Sequence, residues 1–332
     1  MTSAPAKVNF RYLFKDIVYG FSEVEFAGST FYVKHLSSLD QVDLEELEES
    51  FFQEAKKRGL PTEKEILTRL RDEEMWTTAD DAEITKAEAY IESLENTRKQ
   101  LYLKTQIEDN VVERDKAHIK LNQLLSVKSN LIGKSCETHA KSRTSDHYIL
   151  KSFYEDRELQ NPYFSEEKID ELSKDELLEI VISYNNKILS LNDDNIQRIV
   201  LQDFYNLYMP FAENSQEFYG KAICDLSYNQ LKLLIYSRYF KNIFSNNDKM
   251  PEYIKKDPEK IIDYVNANEN VKKVKDKNDE KDYSAESLVG ATAEDLEYLG
   301  VKSKGEDTLS LSEEAKKKGG SLSMDDMMNL FG

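Results

Sequence analysis

The longest uninterrupted helical pattern in this chain is DAEITKAEAYIESLENTRKQLYLKTQIEDNVVERDKAHIKLNQLLSVKSNL, residues Asp81–Leu131. It contains neither glycine nor proline, the residues that most often end a helix. A first heptad-like series predicts a buried seam formed by Ile84, Ala87, Ile91, Leu94 and Leu101. A second series is out of phase with the first and comprises Ile107, Val111, His118, Leu121 and Leu125.

This break in phase is compatible with two structures for residues 79–132. The first is one long helix with a stutter, about 75 Å long at ~1.5 Å per residue. The second is a helical hairpin that folds near Lys104–Gln106, and it is slightly favoured because each half would bury the seam of the other. Both structures present a helix face to a partner more readily than they form an enzyme core. We therefore predict partner binding by Ile84, Ile91, Leu94 and Leu101.

The region before the central helices, residues 1–78, has a mixed α/β pattern. Residues rich in Val, Phe and Tyr predict two short strands, Glu23–Phe26 and Thr30–Val33, joined by a turn that contains Gly28. A hairpin of this size is marginal alone and needs a helix packed on one face. We therefore expect a small N-terminal β-hairpin within a mainly α protein.

The region after the central helices, residues 147–268, alternates helix caps, apolar stripes and many aromatic side chains. One helix is predicted over Asn192–Met209, where Pro210 ends it. Another is capped by Ser173 and carries Leu177, Leu178, Val181 and Ile182. The pattern predicts a compact, aromatic-rich all-α domain with its own core.

The segment Gly133–Asp146 is polar and predicts a loop. Together with the next residue it carries a cluster that resembles a set of metal ligands, Cys136, His139 and His147. Structural zinc sites normally show a second paired cluster, which the sequence lacks. The predicted cofactor content is therefore none. A metal-binding enzyme or a nucleic-acid regulator that uses this loop is kept as an alternative.

The composition changes again in residues 269–332. A run of lysines and acidic residues without large apolar side chains predicts a flexible acidic tail. Near residue 324 apolar side chains return at the i, i+3, i+4 and i+7 positions of a helix, with two aspartates in its first turn. An apolar helix face on a tether is typical of a docking peptide. This methionine motif (Met324–Phe331) supplies the predicted partner-binding residues Met324, Met327, Met328, Leu330 and Phe331.

The composition also limits the classes of function. The chain has 45 Lys and Arg against 63 Asp and Glu, a net charge of -18, which argues against neutralisation of nucleic-acid phosphates. Neither a glycine-rich phosphate loop nor a dinucleotide fingerprint is present, and no nucleophile motif accompanies His35. In so acidic a chain, carboxylate pairs are mostly helix caps or solvated faces. The sequence therefore does not predict an enzyme.

The predicted environment is a reducing cytoplasm. Residues Met1–Arg11 lack the basic and apolar regions of a signal peptide, and no stretch reaches the roughly 18 apolar residues of a membrane helix. The two cysteines, Cys136 and Cys224, form no disulfide pattern. We expect no membrane contact. Either of the two seams could also pair with a second copy of the chain, which would give a homo-oligomer.

Several stretches, together with the order of these features, carry a resemblance to known proteins. They are Phe31-Tyr32-Val33-Lys34-His35-Leu36, Gly59-Leu60-Pro61-Thr62, Glu65-Ile66-Leu67, Trp76-Thr77-Thr78, Ser152-Phe153-Tyr154-Glu155-Asp156, Met250-Pro251-Glu252-Tyr253-Ile254 and Met324-Asp325-Asp326-Met327-Met328-Asn329-Leu330-Phe331-Gly332. In these the chain resembles the tail-assembly chaperones and baseplate-hub assembly proteins of contractile-tailed phages, loosely over residues 20–265. The stretches contain no catalytic signature, so no active-site residue is carried over.

The resemblance implies a non-enzymatic role in phage tail or baseplate morphogenesis, in the host cytoplasm. The leading hypothesis is an assembly factor that binds other proteins, tail or baseplate components, through the predicted partner-binding residues. One alternative is a permanent component of the tail, baseplate or neck, incorporated in the virion.

Overall fold

The computed structural model describes residues 8–26, 28–165, 168–169 and 172–277. The described chain is mainly helical with a small antiparallel β-hairpin near its start, which confirms the predicted fold class. Its strands are β1 (Phe21–Phe26), β2 (Ser29–Lys34) and β3 (Phe153–Tyr154). Its helices are α1 (Phe10–Tyr19), α2 (Ser38–Lys57), α3 (Glu63–Asp72), α4 (Thr78–Arg98), α5 (Lys104–Ile132), α6 (Cys136–Lys151), α7 (Lys174–Ile188), α8 (Asp193–Val200), α9 (Ser215–Tyr219), α10 (Tyr228–Asn246) and α11 (Pro258–Lys277).

Contacts between residues divide the chain into two units. Of the described residues, unit 1 contains those up to Asp81 and those from Leu125 to Pro258. Unit 2 contains Ala82–Leu124 and the described residues from Glu259 onward. The sequence grouped these residues differently, since it predicted four consecutive regions, residues 1–78, 79–132, 147–268 and 269–332. The difference arises because helices far apart in the sequence pack together.

The sheet of unit 1 contains the predicted hairpin and one strand more. β1 and β2 are antiparallel, with Val24 opposite Phe31, and Gly28 holds a φ of +76° in the turn. β3 pairs with the other edge of β2 and places Phe153 opposite Val33. One face of this sheet forms a core with α6 and α7, made of Val24, Phe31, Val33, Ile149, Leu150, Phe153, Phe164 and Ile180. The hairpin therefore has the helical cover that a small sheet needs.

The prediction of a loop over Gly133–Asp146 is wrong, because α6 begins at Cys136. Ser135 and Thr138 form a capping box: Ser135 Oγ accepts the Thr138 N–H at 3.1 Å, and Thr138 Oγ1 accepts the Ser135 N–H at 2.9 Å. The helix packs closely on α2 through small buried side chains, among them Ala140. A search for large apolar residues overlooks such a face.

Unit 2 contains the hairpin that the sequence slightly favoured over one long helix. α4 and α5 are antiparallel, since Asn110 Nδ2 donates to the Leu94 carbonyl at 3.2 Å and Tyr90 Oη donates to Glu113 at 3.3 Å. The chain turns within residues 99–103, just before the predicted position. The inward face of α4 follows the first predicted seam, with Arg98 at its end instead of Leu101.

The seam of α5 differs from the second predicted series. Between residues 107 and 124 its buried or half-buried positions mostly follow steps of three and four; they are Ile107, Asn110, Val111, Arg114, Ala117, Leu121 and Leu124. His118 and Leu125 are exposed, so their assignment to a seam was wrong. The error has a physical reason: Asn110 is polar, so the predicted series took the neighbouring Val111, and heptad steps from Val111 lead to His118 and Leu125.

Helix α11 belongs to unit 2 because a polar cluster fixes it there. The Arg98 guanidinium donates to both carboxylate oxygens of Asp263 at 2.8 Å and to Glu259 at 3.0 Å. Asn270 Nδ2 donates to the Lys99 carbonyl at 2.8 Å in the hairpin turn. Residues 269–277, predicted as tail, are therefore the end of a helix, and residues 278–332 lie outside the described part of the chain.

Candidate partner-binding surfaces

The structure buries most of the predicted partner-binding face of α4. Ile84 and Ile91 are each only 7% exposed, and Leu94 is half-buried. Leu101 lies in the hairpin turn, where its carbonyl accepts Asn270 Nδ2 at 3.4 Å. A partner could reach Ile84 and Ile91 only by opening unit 2, so this seam holds the unit together instead of offering a free surface. The residues of the methionine motif lie outside the described chain, and their role stays a prediction.

The proposed Cys/His ligand set does not converge. Cys136, His139 and His147 all lie on α6, and eleven residues of helix separate the first from the last by about 16 Å. Cys136 is fully buried, and its thiol donates to the Leu60 carbonyl at 3.1 Å. Within the described ranges, no group of three or more His, Cys, Asp and Glu side chains is placed to hold a metal ion. The metal-based alternative therefore has no geometric support in α6.

A cavity of about 480 Å³ lies beside β2 and β3, and His147 is among its lining residues. Its other charged lining groups include Lys34 and Asp40, which form an ion pair at 2.6 Å. Asp40 also caps α2 by accepting from the Ser37 N–H, and these bonds hold the pKa of its carboxyl below the usual range although burial opposes them. The ion pair and the cap use these groups structurally, which makes the cavity a weak candidate for chemistry.

His35 is buried in unit 1 and acts as a structural residue. Its Nε2 lies 2.8 Å from Ser22 Oγ, and its Nδ1 has no hydrogen-bond partner among the described residues. Burial, and secondarily the charge of Lys187, lower the pKa of His35 to about 3. Lys187 is itself paired with buried Asp16 at 2.9 Å. A neutral imidazole with this little solvent access fits a structural role.

Helix α7 is apolar on two faces. Its inner face contributes buried Ile180 to the sheet core, with Leu177, Val181 and Tyr184 packed around it. Its outer face carries Leu178 and Ile182, and Leu189 directly follows the end of the helix; we call these three aliphatic side chains the outer stripe. They are 58%, 48% and 70% exposed. Exposed apolar side chains that share one helix face often mark a protein interaction site, so the outer stripe is a candidate partner surface.

The sequence contained a signal for this surface. Leu177, Leu178, Val181 and Ile182 are apolar at adjacent pairs of helical positions, which spans a wider arc than one buried face requires. The sequence predicted one helix that carries all four and did not separate them into two faces. Only the packing of α7 on the sheet separates the inner members from the outer ones.

A second surface, the aromatic patch, consists of Arg11, Phe204, Leu207, Tyr208 and Phe211. The prediction of one helix over Asn192–Met209 is wrong, because α8 ends at Val200 and 3-10 turns cover Asp203–Leu207 and Met209–Phe211. Except for Arg11, the aromatic patch lies in this region after α8. In a 3-10 turn side chains three residues apart share a face, so Tyr208 and Phe211 project together. Three of the patch side chains are between 42% and 76% exposed.

Contacts on the protein side hold the aromatic patch in place. The Phe14 ring lies 4.8 Å from the Tyr208 ring and 5.7 Å from the Phe204 ring. The Arg11 guanidinium lies 4.8 Å above Phe204. Arg238 fixes the following backbone by donating to the Ala212 carbonyl at 3.0 Å and the Glu213 carbonyl at 2.7 Å. Rigid aromatic side chains next to an arginine are typical of the residues that dominate binding interfaces.

Comparison with known proteins does not identify a relative. No protein-family model matches the chain, and neither the curated proteins nor the solved structures gave a significant match. Among the described helices, none is both long enough and apolar enough to cross a membrane. The function has to be inferred from the residues and their geometry.

Proposed function

We propose that this chain is a non-enzymatic assembly factor that binds other proteins, and that its partners are tail or baseplate components of a contractile-tailed phage. The observation that carries the protein-binding role is the exposed outer stripe of α7. The phage context is supported by the resemblance of the sequence stretches described above, and by no other observation. The same proposal places the action of the chain in the host cytoplasm.

The outer stripe fits one apolar helix face of a partner. Its side chains extend from α7 into the first residue after it, over a length of about three helical turns, which is the length over which a docked amphipathic helix presents its apolar side chains. The Lys187–Asp16 ion pair and the inner face of α7 attach the helix to unit 1, so the stripe is preorganised. A preorganised surface binds with a smaller entropic cost than one that must first order.

The test is recovery of tail and baseplate proteins with the full chain from infected host cells. The double variant Leu178→Glu/Ile182→Glu places two charges on the outer stripe and should abolish stoichiometric recovery. Ile235→Glu is the matched control, because Ile235 is 60% exposed on α10 and lies outside both candidate surfaces. Circular dichroism should show the same helix content in all three proteins.

Three outcomes decide the proposal. Recovery that is lost only in the stripe variant supports it. Equal recovery with the stripe variant and with wild type would move the interface away from α7. Absence of tail proteins from every preparation would remove the assembly role.

A second measurement asks whether the chain is present in purified particles. Its detection there would identify a permanent virion component, whereas its absence fits a factor that leaves after assembly.

A further inference from the structure

The aromatic patch and the methionine motif are chemically complementary. The patch offers exposed rings, an exposed leucine and the guanidinium of Arg11, to which the described residues give no acidic partner. The motif offers three methionines and Phe331, with Asp325 and Asp326 beside them. Thioethers adapt to irregular apolar surfaces and make favourable contacts with aromatic rings. A patch that joins apolar side chains to a cation without an acidic partner among the described residues favours an acidic apolar segment.

We propose that the aromatic patch binds the methionine motif of the same chain. In the free protein the two then cover each other, and a partner that binds either one has to displace the other. This intramolecular contact would keep the exposed rings from associating with other molecules before the partner is present. It concerns a surface other than the outer stripe, so it can hold or fail independently of the proposed function.

The chain length permits this contact. Residues 278–323 connect the end of α11 with the motif, and extended chain reaches roughly 3.3 Å per residue, or about 150 Å in total. A compact chain of this size has a radius of gyration of only about 20 Å. The motif can therefore reach the patch wherever α11 directs the connecting segment.

Tethering also makes a weak contact sufficient. A flexible tether gives its end a local concentration on the order of 1 mM. A motif that binds the patch with a dissociation constant of about 100 μM would then occupy it in roughly nine of ten molecules. The same occupancy would weaken the binding of an added copy of the motif about tenfold, which gives the proposal a measurable signature.

The experiment uses the full chain and a fluorescent peptide that covers residues 321–332, with binding followed by fluorescence polarisation. Wild type should bind the peptide weakly, because the patch is already occupied. The variant Met327→Asp/Phe331→Asp disables the chain's own motif and should bind the peptide about tenfold more tightly. The further change Leu207→Asp/Phe211→Ala in that variant should remove binding. Ile235→Asp in the same background is the control and should bind as the motif variant does.

Three results would overturn the proposal: no binding to the motif variant at 1 mM peptide, equal affinity for wild type and the motif variant, or binding that survives the patch substitutions. A second measurement is independent of the peptide. In spectra of chains with ¹³C-methyl methionine, ring currents should shift the motif methyls of wild type, and Leu207→Asp/Phe211→Ala should abolish the shift. The shift should persist on dilution from 100 to 1 μM, and its loss would show exchange between copies in place of the intramolecular contact.

Discussion

Different kinds of contact stabilise the interior of unit 1 and the interior of unit 2. The core of unit 1 is made of large side chains such as Phe153, Tyr205 and Phe240, all of them fully buried. The interior of unit 2 also contains Ile84 and Ile91, but polar groups occupy positions on its seams, notably Asn110 and Arg98. The difference teaches that large apolar side chains dominate the core of unit 1, beside a few buried polar pairs such as Lys187–Asp16, whereas polar pairing decides which helices meet in unit 2.

The strongest way to break this comparison is to remove a ring from unit 1. Phe153 is fully buried, and its ring lies 6.4 Å from that of Phe31 and 6.0 Å from that of Phe164. Phe153→Ala should lower the free energy of unfolding by about 3–5 kcal/mol, since it leaves a cavity. Urea unfolding followed by circular dichroism measures the loss. Tyr253→Ala, in which an exposed ring outside both candidate surfaces is removed, should change it by less than about 0.5 kcal/mol; equal losses would contradict the assignment of the core.

The next largest effect is expected from acid, which should destabilise unit 1 through His35. The pKa of His35 in folded unit 1 is lowered to about 3, below the roughly 6.5 of an unfolded chain. The unfolded state therefore binds a proton that the folded state does not, and stability falls as the pH drops from about 6.5 towards 3, by up to ~1.4 kcal/mol per pH unit. Urea midpoints at pH 7 and pH 4.5 should differ less for His35→Gln than for wild type. Parallel pH profiles would show that His35 is not the responsible group.

Unit 2 should depend more on one ion cluster. Arg98→Ala leaves the Asp263 carboxylate, which is 9% exposed, without its bidentate partner. We expect a loss of about 2–3 kcal/mol and faster hydrogen exchange of the α11 amides, because a buried charge without a partner is unfavourable. Arg58→Ala removes an exposed i,i+4 pair with Glu54 and should cost less than about 0.5 kcal/mol. Unchanged exchange in α11 would show that apolar packing alone attaches this helix.

The smallest effect should be a gain. Asn110 is buried on the α5 seam. Its side-chain Nδ2 donates to the Leu94 carbonyl, while its side-chain oxygen Oδ1 has no partner among the described residues. Asn110→Leu should raise the free energy of unfolding by about 1 kcal/mol, since an apolar side chain suits this position better. Thermal unfolding of the variant and wild type measures the difference. A loss of stability would mean that the bond to Leu94 is required for the hairpin.

The features of the candidate surfaces that the sequence predicts are those set by neighbouring residues, such as a helix, its cap and its apolar positions. The sequence identified the helix that carries the outer stripe, including its Ser173 cap, and it named Leu178 and Ile182 as apolar members. It did not show that they face outward. It missed the aromatic patch, because the end of α8 at Val200 is followed by extended backbone at Gln202 that helical periodicity does not reveal.

The sequence by itself determined the features that depend on residues a few positions apart. These are the mainly α class, the β1–β2 hairpin and the Ser173 cap of α7, all of which form as predicted. Caps and tight turns are made by hydrogen bonds within about four residues, so their signals are local.

Only the tertiary structure decided which faces are buried. It placed α11 in unit 2 through Arg98 and Asp263, exposed the outer stripe of α7, and paired β3 with a strand more than a hundred residues away in the sequence. Burial depends on what packs against a face, and that partner comes from distant parts of the chain. Periodicity therefore shows that a helix has an apolar face, but the packed structure shows whether the chain itself or another molecule covers it.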